Sequence, residues 1–343
     1  MLTVFSLEQA EQWDAIVRSF RRYDTYWLSG YVKAFQIHGD GEPLLFFYED
    51  EDTRGINVVM KRDIACDLHF AGKLSNGEYF DFSTPYGYGG WLIEGCNPKS
   101  LFEAYQSWAE NNGIISEFVR FHPMVCNHEN CSEFYELVQL GEVVHMDLSS
   151  PETIWENITS KNRNVIRKAM KNNIRIYNGR FPEIFKRFRA VYNGTMDKDN
   201  AEEYYYFGEE FYSSILEDLP QNAQVFWAEE DEQVIAASIF LAANGRMNYH
   251  LSGSIREYSS LAPTNLLLFQ AALWGCANGC HTLYLGGGVG SGKDSLFHFK
   301  RAFFKGELNR FVIGKKVFNQ KQYVELVNIR EPPESSFFPK YRA

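Results

Sequence analysis

The chain has 343 residues, 45% of them hydrophobic and 23% charged, which suits two ordinary globular domains or one large one and excludes a disordered chain. Its 34 basic and 44 acidic side chains leave a net charge of −10, which excludes wholesale polyanion binding and leaves room for a local basic patch. No apolar run approaches the roughly 18–20 residues that cross a membrane, Met1 to Glu8 hold no basic leader ahead of an apolar stretch, and six cysteines are too few for a disulfide scaffold, so a reducing cytoplasm is the expected location.

Trp13, Ile16, Val17 and Phe20 recur at helical spacing behind Ser6, which predicts a capped helix over residues 7–21. A second helix is expected over 27–37, stopping at Gly39. Strands at 43–48 and 55–61 follow, joined by the acidic turn 49–52. Three glycines and a proline make 83–90 a loop. A helix over 98–112 stops at Gly113, and strands are expected at 114–121 and 142–148. Ser150-Pro151-Glu152 reads as a helix start. Beyond it come helices at 160–172, 182–193 and 208–218, then strands at 224–229, 234–242 and 247–252. An apolar helix over 263–277, a strand at 281–285, a Gly-rich loop and a helix over 295–304 complete the series.

The order repeats. Trp108 to Gly113 precedes a strand, as Trp274 to Gly279 does in the second half of the chain. The hairpin with an acidic turn at 43–61 has a counterpart at 226–241. The two offsets differ, so the repeat tolerates insertions. Helices, hairpin, helix and strand recurring in one order predict an α/β domain present twice.

The segment 285–304 concentrates the chemistry. Gly287, four residues, then Gly292-Lys293 is a near miss to a nucleotide phosphate loop, but Asp294 stands where a hydroxyl must hold magnesium. What survives is a strand end, four glycines (Gly286, Gly287, Gly288, Gly290) and a helix start, a setting where bare backbone N–H groups can meet an anion or a polarised carbonyl. Lys300, after Phe299 and close to that loop, is placed to stabilise a developing oxyanion. Arg301 reads as an ordinary solvated cation.

Residues 161–175 hold six basic and no acidic side chains. Arg163, Arg167 and Lys171 are four apart and share a helix face, a pattern for a phosphate-bearing ligand or a solvated helix. Residues 197–218 are the opposite, with eight acidic residues, one lysine and the run Tyr204-Tyr205-Tyr206-Phe207: a lid over a polar substrate, or surface. Cys126, His128 and Cys131, with His122 just before, have zinc-like spacing but no clear fourth ligand, and no metal is expected. No Gly-x-Ser-x-Gly elbow supports a hydrolase triad.

Taken together, Tyr249-His-Leu-Ser-Gly-Ser, Ala262-Pro-Thr-Asn-Leu-Leu-Leu, Leu285-Gly-Gly-Gly-Val-Gly and Asp294-Ser-Leu-Phe-His-Phe-Lys300 resemble the second domain of the Fem-type peptidoglycan-bridge aminoacyltransferases and related cell-surface acetyltransferase-like proteins. Lys161 to Lys171 resembles the start of that domain, and Thr84-Pro-Tyr-Gly-Tyr-Gly-Gly90 a first-domain loop. The resemblance spans about residues 30–305. It implies an α/β (α+β) fold of two tandem GNAT-like domains, each a twisted mixed sheet flanked by helices. The first would cover 1–149 and the second, with the active site, 150–314, while a tail from about 315 to 343 returns to the first.

The resemblance implies a catalytic role for Lys300, with Phe299 and Gly286, Gly287, Gly288 and Gly290 as its donor and oxyanion loop. It implies acceptor contacts from Tyr249 and Lys33, to which the aromatic run adds Tyr205, while the basic charge of the 161–171 stretch points to phosphate or RNA contacts from Lys161, Arg163 and Arg167. The family's arginine in the helix around 204–212 has no counterpart, nor does the long helical arm of some members. The expected reaction is transfer of an acyl or aminoacyl group to an amine. The donor would be acyl-CoA or aminoacyl-tRNA, with no tightly bound cofactor. The acceptor would be a peptidoglycan precursor or other cell-surface glycan precursor, with peripheral membrane contact and a tRNA acceptor end as potential partners. The general base is open among the tyrosines at 204–206, Glu209, His250 and the substrate's own phosphate. The competing expectation is a non-catalytic binding protein on the same scaffold.

Overall fold

Ser6 follows a short first strand, β1 (Leu2–Phe5), and its hydroxyl accepts the Glu8 N–H at 3.3 Å to start the turn leading into α1 (Ala10–Ser19). The structure, a computed structural model, describes residues 1–331 and 333–343. After α2 (Ser29–His38) the hairpin β2 (Glu42–Glu49) and β3 (Thr53–Asp63) turns at its acidic tip. Then come β4 (Phe80–Ser83), β5 (Leu92–Gly95), α3 (Lys99–Asn111), β6 (Ile114–Arg120) and β7 (Glu136–Asp147). Next are α4 (Pro151–Asn157), α5 (Ser160–Lys171), β8 (Arg175–Gly179), α6 (Pro182–Asp199) and α7 (Glu209–Asp218). The strands β9 (Ala223–Glu230), β10 (Gln233–Ala243) and β11 (Arg246–Ser254) precede α8 (Pro263–Ala277), β12 (Thr282–Gly286) and α9 (Ser295–Arg301). Last come β13 (Asn309–Val317) and α10 (Gln320–Arg330).

Two units divide the chain: residues 1–140 with 311–343, and residues 141–310. In the first the strand order is β1-β2-β3-β4-β6-β13, with β5 beside β3; every neighbour in the row is antiparallel except β4 and β6. In the second it is β8-β9-β10-β11-β12-β7, antiparallel except β11 and β12. The plan is the same. A parallel pair needs a crossover, supplied by α3 in the first unit and α8 in the second.

Phe46, Phe82, Trp91 and Tyr105 centre the first core; Phe226, Phe240, Leu267, Leu268 and Leu283 centre the second. The helix α8 is apolar nearly all round because it packs on strands of the sheet and on α4 and α5 together.

The sequence expectation differs in places. The helix expected to end at residue 193 runs to Asp199, because Thr195 Oγ1 accepts the Ser254 N–H of β11 at 2.9 Å and keeps the last turns docked. The helix expected to reach 304 stops at Arg301, whose guanidinium takes the carbonyls of Phe304 and Gly306 at 2.6 and 2.8 Å and turns the chain. Arg301 is thus a structural clamp rather than a solvated cation. The strands β1, β4, β5, β8 and β13 and the helix α10 have no counterpart in the expectation.

Candidate active site

The second unit's sheet parts at one place. β11 pairs with β12 over only three residues, 246–248 against 282–284, yet stays paired with β10 as far as Ser254. Just past that short ladder both strands bulge against their outer neighbours. On β11 the register slips between Tyr249 and Leu251, leaving His250 as the extra residue; on β12 it slips between Tyr284 and Gly286, leaving Leu285. A bulge bends its strand and adds twist. Two of them side by side turn the strands apart and open a wedge beyond the ladder.

Lys300 stands beside the end of β12. Asp294 positions it by capping α9: one carboxylate oxygen accepts the Phe297 N–H at 2.8 Å and the other accepts that of Val289 at 3.1 Å. These bonds hold the Asp294 carboxyl below the usual range. The residue that spoils the phosphate-loop pattern is therefore the cap. It sets the phase of the helix, so that Phe297 and, three residues on, Lys300 share the buried face. Burial pushes the Lys300 pKa down to about 8, against the pull of Asp294. Its Nζ donates to the Gly287 carbonyl at 2.7 Å.

The loop's glycines permit close approach. Gly286 has φ of +82°, and a Cβ there would stand 3.3 Å from Nζ; a Cβ at Gly288 would strike Asp294 Oδ1 and the Gly292 carbonyl. Lys293 pairs with Glu142 at 2.7 Å and ties the loop to β7. Gly286, Gly287 and Gly288 are half-exposed and Gly290 is exposed; Gly287 turns its carbonyl to the lysine. Phe299 packs edge-on against Phe303, with ring centroids 5.6 Å apart.

The basic helix begins beside α9. The Thr159 N–H and hydroxyl both donate to the Ala302 carbonyl, at 3.0 and 3.2 Å, while Thr159 Oγ1 caps α5. Buried Asn162 accepts from Asn265 of α8 at 2.8 Å. Lys161 is exposed. Arg163 reaches the Trp155 carbonyl at 3.5 Å and Ser160 Oγ at 3.2 Å; Arg167 lies over the Trp155 ring at 5.1 Å. Thr159 and Asn162 escape a sequence reading because their partners, Ala302 and Asn265, stand far along the chain. Trp155 escapes it because α4 ends between this ring and the cations it serves.

Tyr249 sits one residue beyond the ladder, its ring 5.5 Å from that of Phe240. Burial raises its pKa against hydrogen bonds from Ser252 and Ser238. Burial also drives His250 down to about 3, so this imidazole is neutral at physiological pH. Tyr205 lies half-buried in a short turn, edge-on to Tyr204. Tyr206 donates to Asp197 at 2.8 Å, and Glu209 pairs with Arg189 at 3.7 Å. Lys33 is exposed on α2 in the first unit, two residues from Tyr31, whose hydroxyl donates to the Tyr86 carbonyl in the loop 83–90. The structure thus gathers Gly286, Gly287 and Asp294 about the Lys300 ammonium, sets Gly288 against Asp294, and places Thr159, at the start of the basic helix, against the same helix. Tyr205 and Lys33 lie on other elements.

Among the described residues, no group of three His, Cys, Asp or Glu could hold a metal ion. Cys126 and Cys131 instead donate to the Pro123 and Asn127 carbonyls, at 3.2 and 3.4 Å. No described helix is long and apolar enough to cross a membrane.

Residues 160–301 match the family described as "Acetyltransferase (GNAT) domain". No curated protein matches the chain by sequence. Among solved structures, FemX is similar over 95% of this chain and 99% of its own, at 12% identity and a TM-score of 0.69. L-PGS from Bacillus licheniformis is similar over 93% and 96%, at 14% identity and 0.57. A tandem GNAT protein from the clavulanic acid biosynthesis pathway is similar over 93% and 99%, at 7% identity and 0.51. Residues 160–301 thus match a GNAT acetyltransferase domain, and the chain shares its fold with FemX and with the tandem GNAT protein.

Proposed function

We propose that this transferase moves an acyl or aminoacyl group onto an amine of a cell-wall or cell-surface glycan precursor in the cytoplasm. The observation that carries the reading is the Lys300 ammonium, desolvated and fixed by a capped helix beside the glycine loop that ends β12. The amine nitrogen attacks the donor carbonyl, the C–N bond forms, and negative charge collects on the carbonyl oxygen. The C–S or C–O bond of the donor then breaks and the nitrogen loses a proton. A preorganised cation in a poorly hydrated site lowers the energy of the charged intermediate far more than one in water. The cations of α5, whose first turn is tied to the helix bearing Lys300, suit the phosphates of an acyl-CoA or the acceptor end of a tRNA.

The test offers acyl-CoA and aminoacyl-tRNA separately, with and without an amino-sugar or peptidoglycan-precursor amine, and follows the products by mass spectrometry. One donor is expected to be consumed only when the amine is present. Lys300→Ala is expected to lose about 100-fold or more in kcat with an unchanged circular dichroism spectrum. Full turnover in that variant overturns the assignment. A donor bound but never consumed is the behaviour of a binding protein.

A further inference from the structure

The second unit holds a cavity of about 600 Å³ on the α6 side. It reaches Ser254, five residues beyond Tyr249 on β11, or about 16 Å at the rise of a strand. Next to it α6 lies directly on β11. A Cβ at Gly253 would meet the backbone of Val191 and Tyr192 at 2.7 Å, and Thr195 bonds the main chain of Ser254. Helix and strand are therefore locked, and the space beside them is fixed rather than formed by loose loops. It exists because Ala190 and Gly194 stand one turn apart on the facing side of α6; a Cβ at Gly194 would meet nothing within 4 Å.

The chemistry of the walls is divided. Val191, Val234 and Ile255 give an apolar floor, the two valines buried. Arg187, Lys198 and Arg256 line the cavity with two carboxylates, Glu232 and Glu257. Arg187 is shared between Glu183 at 3.5 Å and Glu229 at 3.8 Å, and Lys198 pairs with Asp199 at 3.3 Å. Arg256 pairs with no carboxylate among the described residues. A guanidinium left over beside an apolar floor, in a cavity within the usual size of small-molecule sites, selects a ligand with one anionic group and an apolar body.

We propose that this cavity is a second small-molecule site, separate from the transfer reaction, which takes an organic anion. Its carboxylate, sulfonate or phosphate pairs with Arg256, and its apolar part lies on Val191, Val234 and Ile255.

The test titrates the whole protein with 1-anilinonaphthalene-8-sulfonate, followed by fluorescence, beside the uncharged N-phenyl-1-naphthylamine. The sulfonate is expected to bind at one saturable site that Gly194→Trp abolishes by filling the space. Arg256→Ala is expected to weaken it about tenfold, the loss of one charge-assisted contact, and the uncharged analogue to bind less tightly than the sulfonate. If Gly194→Trp fails to fold by circular dichroism, Arg256→Ala and the uncharged analogue decide alone. Titrations unchanged by Arg256→Ala, equal affinity for the two probes, or displacement of the sulfonate by acyl-CoA would each overturn the proposal.

Discussion

A buried lysine whose one hydrogen-bond partner is a carbonyl destabilises the fold that holds it. Its pKa falls from 10.5 to about 8 because folding removes water from the ammonium. The cost, about 3 kcal/mol, is full below pH 8 and fades as pH rises toward the unfolded value. Lys300→Met is expected to be at least as stable as the parent in urea unfolding at pH 7 and to lack turnover. A loss of about 2 kcal/mol or more would mean that the ammonium is well solvated. A rate that needs the cation should decline above about pH 8, and Lys300→Arg, which keeps its charge, should remove that decline from the pH–rate profile. Glu117 shows the opposite sign in the first unit. Burial lifts its carboxyl to about 7, against bonds from Tyr135 at 2.7 Å and Asn57 at 2.9 Å. Its favourable contribution is complete below about 4.5 and is lost as pH rises through about 7. Glu117→Gln is expected to flatten the stability–pH curve across that window, measured by urea midpoints, while a curve of unchanged slope would assign the dependence to other groups.

At the scale of elements, what the sequence reveals is what is local. The bounds of α8 agree with the apolar run from residue 263 to 277, and the Gly-rich turn before α9 is written in consecutive residues. The wedge is not local. It needs His250 and Leu285 to bulge against strands on either side, and neither residue type signals a bulge. Short strands such as β4 and β8 are also hidden, because four or five residues cannot establish a period of two against its neighbours. Asp294 tests whether the cap sets the catalytic geometry. Asp294→Asn keeps one oxygen for the Phe297 amide, gives up the bond to Val289, and is expected to stay within a few-fold of parental kcat. Asp294→Ala loses both bonds, about 1–2 kcal/mol by urea unfolding, and should lower kcat more than it raises KM. Equal kcat for the two would mean that the helix finds its phase without the cap.

For the whole molecule, the two halves share one strand plan, and the sequence shows that plan only where a helix, a glycine and a strand recur in the same order. The tail that completes the first half carries little of this signal, since both its apolar and its polar partners stand far back along the chain. Arg342 meets Asp81, which is 1% exposed, and Asp67 at 3.3 Å, while Tyr341 donates to Asp81 at 3.1 Å. Arg342→Ala leaves Asp81 with Arg62 at 2.8 Å and Tyr341, and should cost about 2 kcal/mol in urea unfolding. A loss below about 0.5 kcal/mol would mean that Arg62 and Tyr341 satisfy that carboxylate unaided. The place of β13 beside β6 has a consequence for biosynthesis. A ribosome works from the N-terminus, so β6 leaves the exit tunnel long before the strand that covers its flank has been translated. During that interval the nascent chain carries a naked edge able to pair with any passing strand.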